Sequence, residues 1–207
     1  LHKEFEMEKP AVNQYALHEL IRRRWSPRAF AEKPVELAKL QSIFEAARWG
    51  PSAMNEQPWS FIVARKENPP EFELLFSCLA EGNQPWAAKA PVLILVVAKN
   101  FFEANASPNR WALYDVGLAT ENMLLQALDL GLFAHVMAGF EGEKARTLFQ
   151  IPPAYEPVSI LALGYPGDYT TLSEPYQERE LAPRTRKPLE TFVFAGQWGQ
   201  TAAIKAE

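Results

Sequence analysis

Pro51-Ser-Ala-Met-Asn-Glu-Gln-Pro-Trp-Ser-Phe61 is the stretch from which the rest of this 207-residue chain is best read. Prolines at 51 and 58 fix φ and remove two backbone donors, so the segment cannot continue the helix expected before it. Trp59 then opens a β-rich run to Ala64. What lies between is a rigid loop presenting Ser52, Asn55 and Gln57, all able to hydrogen-bond a polar heterocycle or a phosphate. Taken alone, the same stretch also reads as a plain helix-to-strand connection.

Working outward, apolar spacing predicts a helix over Asn13 to Arg23, with Asn13 as its cap. A second helix runs from Pro34 to about Trp49 on a stripe of Leu37, Leu40, Phe44 and Ala47. Phe61 to Arg65 reads as a short strand, and a helix from Pro70 to about Glu81 ends at Gly82. Pro91 to Ala98 is almost purely Val, Leu, Ile and Ala, the pattern of a strand covered on both faces. The longest helix is expected from about Pro108 to Leu130. Leu113, Val116, Thr120, Leu124 and Ala127 mark one face of it, while Leu118, Met123, Leu125 and Leu128 fill most of the rest. A helix apolar nearly all round has to be covered on several sides. After Gly131 come a strand, Phe133 to Phe140, a short helix, Glu141 to Phe149, and a last core strand, Val158 to Leu163.

Beyond Tyr165 the character changes. Asp168 to Arg186 is rich in Thr, Ser, Pro and charge, and Thr191 to Trp198 is again apolar and aromatic. One domain is therefore expected over 1–207, with a core at about 13–165 and a linker and C-terminal arm at about 166–207. The arm carries too much apolar surface to stay in solvent, so it folds back or packs on a partner.

Composition removes several function classes. Hydrophobic residues at 48% and charged residues at 22% are ordinary for a soluble globular protein. A net charge of −4 argues against general nucleic-acid binding. The longest apolar stretch, Ala90 to Ala98, is far short of the roughly 20 residues of a membrane helix, and no signal pattern opens the chain. Cys78 is the single cysteine, in an apolar run that suits a buried thiol and a reducing compartment. A cytoplasmic address follows as the expectation. His2, His18 and His135 have no metal-ligand spacing. No G-x-G-x-x-G follows a strand, and neither a P-loop nor a G-x-S-x-G elbow occurs. With no catalytic set of side chains in view, chemistry borne by a cofactor becomes the more plausible class.

Four arginines crowd Arg22-Arg-Arg-Trp-Ser-Pro-Arg-Ala-Phe30. Arg22 and Arg23 suit a helix C-terminus, where cations complement the dipole. Arg24 and Arg28, separated by Ser26 and stiffened by Pro27, look more like a clamp for phosphate and heterocycle. A further basic pair lies in Arg184-Thr-Arg-Lys-Pro-Leu-Glu190.

Together the three segments resemble the FMN-dependent nitroreductase family, in order and spacing, over about Tyr15 to Phe194. The resemblance implies an α+β fold with a mainly antiparallel central sheet flanked by helices, completed by dimerisation. It implies FMN as cofactor, NADH or NADPH as co-substrate, and a small-molecule electron acceptor such as a nitroaromatic or a quinone. A flavin-binding protein that stores or senses FMN is the alternative. Arg24 and Ser26 would lie on the phosphate side and Arg28 near the pyrimidine edge, where a guanidinium stabilises charge that appears on reduction. Trp25 departs from the smaller or basic residue common at its position and either packs along the flavin or covers the core. Pro51, Ser52, Ala53, Asn55 and Gln57 would form the second contact segment, Ser52 reaching the flavin of a partner subunit. Ala53 stands where the family has a second serine. Asn83 would meet the pyrimidine edge, and Met137, Ala138 and Gly139 would run along the ring. Ala138 stands where some members carry a glutamate. Arg184 and Arg186 would close on the phosphate.

Overall fold

The computed structural model describes residues 7–203. Four strands form one antiparallel sheet: β1 (Trp59–Arg65), β2 (Val92–Lys99), β3 (Phe133–Met137) and β4 (Tyr155–Gly164), in the order β1-β2-β4-β3. β2 is buried from Val92 to Ala98, as a strand covered on both faces requires. Alternation along β2 sorts its side chains into two cores. Leu93, Leu95 and Val97 meet Phe72, Leu75, Trp86 and Ile160 on one face. Val92, Ile94, Val96 and Ala98 meet Leu40, Ile43, Val116 and Met123 on the other. The first face is covered by α3 (Pro69–Phe76), α4 (Gln84–Ala87) and α6 (Gly142–Leu148), the second by α2 (Leu37–Arg48) and α5 (Ala112–Asp129). The end of α2 and α5 approach closely: a Cβ on Gly50 would stand 2.9 Å from the Ala119 Cα. The fold is α+β, with a wholly antiparallel sheet.

Several expected boundaries move, each for a visible reason. The first helix, α1, is only Glu19–Arg23. Asn13 does not cap it, because its amide donates to the Tyr15 carbonyl at 2.8 Å and closes a local turn. His18 is the cap, accepting the Leu20 N–H at 3.3 Å. α3 stops at Phe76 rather than near Glu81, and β3 stops at Met137 rather than Phe140. Residues 78–80 and 139–141 instead pair with each other, through Ala80 N–H to Gly139 O and Glu141 N–H to Cys78 O. Leu113 is half exposed, so it does not belong to the buried face of α5; Ala112 and Val116 do. The stretch expected as a linker contains α7 (Glu174–Leu181). The tail folds on itself through a Phe194–Thr201 bridge, with Phe192 and Trp198 left exposed. Among the described residues no helix is long and apolar enough to cross a membrane.

Candidate active site

Leaving α1, the chain runs extended, and burial alternates with period two. Trp25, Pro27 and Ala29 are buried, while Arg24, Ser26 and Arg28 remain half-buried on the other side. This alternation puts the three polar side chains of the motif on one edge. It also turns the Trp25 indole inward, against Phe133 at 6.2 Å between ring centroids and under the Lys9 ammonium. Of Trp25's two expected roles, covering the core is the one this placement suits. Among the described residues its N–H has no partner, and a cavity of about 20 Å³ beside it has room for one water.

The turn that follows is fastened from three directions. The buried Glu180 carboxylate on α7 accepts the Arg28 N–H at 2.9 Å and the Ala29 N–H at 3.1 Å. His135 donates its Nδ1–H to the Pro27 carbonyl at 2.9 Å, the tautomer that a carbonyl acceptor requires. Gly167 N–H donates to Ala29 O, and a Cβ on Gly167 would stand 2.4 Å from the Phe30 carbonyl carbon. Burial pushes His135 down to about 4, outweighing the Pro27 bond that raises it; the Arg28 charge lowers it further. The imidazole is therefore neutral near pH 7 and holds the turn, which leaves it unsuited to act as an imidazolium acid.

Arg24, Arg184 and Arg186 converge near this edge. Burial, then the charges of Arg24 and Arg186, lower the Arg184 guanidinium. Arg184 donates to Lys9 O at 2.6 Å and Arg22 O at 3.0 Å, and Arg186 to its neighbour Thr185 O at 2.7 Å. Arg24 reaches the Ser26 hydroxyl at 3.4 Å. Among the described residues none of Arg24, Arg28, Arg184 and Arg186 has an ion-pair partner, whereas Arg22 pairs with Glu19 and Arg23 lies 4.0 Å from Glu8. Arg24 also feels the Glu121 carboxyl on α5, which burial raises, but like charges gathered without an ion pair make an anion site, and a guanidinium fork suits a phosphate. Arg28 stands apart from them, its guanidinium 6.0 Å from the Trp86 ring. Burial lowers it and Glu180 acts in the opposite sense.

α4 brings the next group alongside. Trp86 lies 4.5 Å from the His135 ring, and Asn83, at the head of the same helix, donates Nδ2–H to Gly139 O at 2.9 Å. A Cβ on Gly139 would meet that amide at 2.9 Å, so a glycine keeps the contact open. The bond uses one Asn83 donor and leaves its carbonyl oxygen available. Met137 is buried in the core, whereas Ala138 and Gly139 are exposed beside Asn83.

The Pro51 to Pro58 loop is a separate construction. Met54, Asn55 and Gln57 all have positive φ, at 54°, 57° and 52°. Ser52 Oγ accepts the Gln57 N–H at 3.0 Å, and Gln57 Nε2 donates to Asn55 O at 3.2 Å. Buried Asp115 on α5 accepts the Ala53 N–H at 3.0 Å. The Ser52 hydroxyl proton, the Asn55 amide and the Gln57 carbonyl stay unused among the described residues. No recorded hydrogen bond or ion pair joins this loop to Arg24, Arg28 or Arg184.

Sequence reasoning missed Glu180, Tyr176 and Asp115. Tyr176 on α7 donates its hydroxyl to Gly82 O at 2.8 Å, so α7 touches both the Arg28 turn and the Asn83 turn. Nothing local marks Glu180 or Tyr176. Asp115 did carry a signal: an acidic residue one position before Val116 on the buried stripe of an otherwise apolar helix.

The chain has counterparts. The nitroreductase family model matches residues 21–165. A solved structure described as an oxidoreductase containing FMN superposes with a TM-score of 0.86 at 33% identity, covering 91% of this chain and 96% of that one. An FMN-dependent nitroreductase from Clostridium difficile R20291 gives 0.62 at 25% identity, over 72% and 87% of the two chains. A Methanothermobacter thermautotrophicus protein, provisionally named NADH dehydrogenase/NAD(P)H nitroreductase, is 34% identical over 165 residues, 76% of this chain and 81% of that one. The class is oxidoreductase. The chain belongs to the nitroreductase family.

Proposed function

We propose that this nitroreductase-family oxidoreductase binds FMN and uses NADH or NADPH to reduce a small electrophilic acceptor such as a nitroaromatic or a quinone. The observation that carries it is the gathering of Arg24, Arg184 and Arg186, without an ion pair among the described residues, beside the Ser26 hydroxyl. That donor set fits a phosphate. Arg28, Asn83, Ala138 and Gly139 would line the ring, Met137 supporting them from the core. Bound FMN supplies the two-electron chemistry that no side chain here provides. Arg28 then fixes positive charge at the edge where reduction creates negative charge, a stabilisation that grows toward the transition state.

The protein would act as a homodimer. Leu113 and Tyr114 on α5 are 50% and 65% exposed, and Met54, Trp111, Phe192 and Trp198 add further open apolar surface. A second copy would cover these and bring its Pro51, Ser52, Ala53, Asn55 and Gln57 to the flavin. Obligate interfaces of this kind bury upwards of about 2,000 Å². A monodisperse single chain by light scattering at low micromolar concentration contradicts it.

Anaerobic mixing of the FMN-loaded protein with NADH or NADPH tests the function. Rapid bleaching of the oxidised flavin, followed by recovery on adding a quinone, is expected. A flavin that binds but does not respond points to a storage or sensing protein instead.

A further inference from the structure

α7 lies in the stretch whose composition resembles a linker, yet it carries one of the two buried acidic side chains among the described residues. Glu180 is 1% exposed. A carboxylate removed from water needs compensation, and opposite charge is the usual source. Here the compensation is main-chain: Oε1 accepts the N–H groups of Arg28 and Ala29 at 2.9 and 3.1 Å, and Oε2 lies 3.0 Å from the Arg28 nitrogen. The Arg28 guanidinium, close enough to feel Glu180, forms no ion pair with it. With the charges of Glu180 and Arg179 acting on it in opposite senses, its orientation depends largely on the backbone from which it springs and on Trp86, 6.0 Å away.

We propose that Glu180 is a positioning residue for the redox step: by fixing the Arg28 main chain it aims the Arg28 guanidinium at the flavin edge, and α7 is the clasp that makes this possible. The clasp has a second point at Tyr176, bonded to Gly82 O one residue before Asn83. It has a third at Lys9, which donates to the carbonyls of Glu180 and Ala182 at the end of α7. The two ring-edge side chains, Arg28 and Asn83, are thus referenced to one helix. The proposal rests on the flavin reading above and deepens it.

Positioning and plain charge make opposite predictions for Glu180→Gln. Removing a negative charge alone would favour the reduced, more negative flavin and raise the reduction potential. Loosening Arg28 lowers it. The decisive experiment is a double-mutant cycle on the FMN-loaded protein: parent, Glu180→Gln, Arg28→Ala and the double variant, each titrated potentiometrically. Glu180→Gln is expected to lose three- to tenfold in preference for reduced over oxidised flavin, tenfold being about 30 mV for a two-electron couple. In the Arg28→Ala background only the lost charge acts, so the same change is expected to give no fall in potential and at most a small rise. A raised potential where Arg28 is present, or an equal fall in both backgrounds, overturns the proposal. Amide exchange on the flavin-free protein gives an independent readout. Exchange at Arg28 and Ala29 should accelerate at least tenfold while Leu93 to Val96 stay protected, and unchanged exchange also overturns it. If Glu180→Gln does not fold, Glu180→Asp, which keeps the charge but shortens the reach, goes through the same cycle and is expected to lower the potential too. If the parent binds no FMN, the flavin reading fails by itself, and amide exchange still decides whether Glu180 fastens the turn.

Discussion

The turn around Arg28 has no residue at positive φ and is fastened by side chains 152 and 108 positions away, Glu180 and His135. The loop from Pro51 to Pro58 instead holds three non-glycine residues at positive φ and combines local bonds among Ser52, Asn55 and Gln57 with ties to Asp115, Lys99 and Glu103 through Ala53, Glu56 and Pro58. Left-handed backbone costs roughly 1–2 kcal/mol per non-glycine residue, so the second loop stores strain where the first does not. The difference matches their proposed duties. Arg28 has to stay aimed at a redox centre within its own subunit, and long-range fastening ties it to the core. The Pro51 loop presents side chains outward, and proline with local bonds makes it rigid without burying it.

The strongest way to break the first turn is through Gly167. A Cβ there would stand 2.4 Å from the Phe30 carbonyl carbon and 2.6 Å from its oxygen, both backbone atoms that cannot swing aside. Gly167→Ala is expected to cost about 3 kcal/mol, which lowers Tm by roughly 6–12 °C in a domain of this size. FMN retention should fall with it. Thermal melting of the flavin-free variant checks this, and an unchanged Tm would mean that the turn is less constrained than its contacts imply.

A comparable effect should follow from pH. His135 is held near 4 in the fold, against about 6.5 for the unfolded chain. The unfolded state therefore takes up the proton first, and the stability due to neutral His135 is lost as pH falls from about 6.5 to about 4. The full loss is on the order of 3 kcal/mol. Urea unfolding at pH 7 and pH 4.5 measures it, and His135→Phe should flatten that part of the pH dependence.

A smaller effect separates the loops by sign. Met54 is 89% exposed at φ 54°, so a glycine there relieves strain and gives up little packing. Allowing for the extra freedom of the unfolded chain, Met54→Gly is expected to stabilise the described fold by up to about 1 kcal/mol in chemical denaturation. A loss of stability would mean that Met54 is already packed against a second copy, which equilibrium sedimentation of the same variant would reveal.

This contrast also explains what could be read in advance. The Pro51 loop announced itself through its prolines and amides, which shape it locally, while its ties to Asp115, Lys99 and Glu103 stayed hidden. The buried β2 strand and the long α5 helix were legible for the same reason, since burial on both faces writes an unbroken apolar run. The Arg28 turn showed its cations but not its fastenings. Glu180, Tyr176 and His135 act across more than 90 residues, and no local pattern encodes such contacts. α7 was hidden for a related reason: of its eight residues only Glu180 is buried, so it has no apolar stripe to detect. The ends of α3 and β3 were misjudged because pairing between residues 78–80 and 139–141 overrides local propensity there.

The central claim is that Arg24, Arg184 and Arg186 hold a phosphate while Arg28 serves the ring. It is tested most directly by comparing FMN with riboflavin, which lacks only that phosphate, in the parent and in Arg186→Ala. The parent is expected to bind FMN far more tightly than riboflavin. Arg186→Ala should lose on the order of 10- to 100-fold for FMN and almost nothing for riboflavin, as followed by quenching of flavin fluorescence. Equal affinity of the parent for the two flavins, or equal losses for both in the variant, would contradict the account.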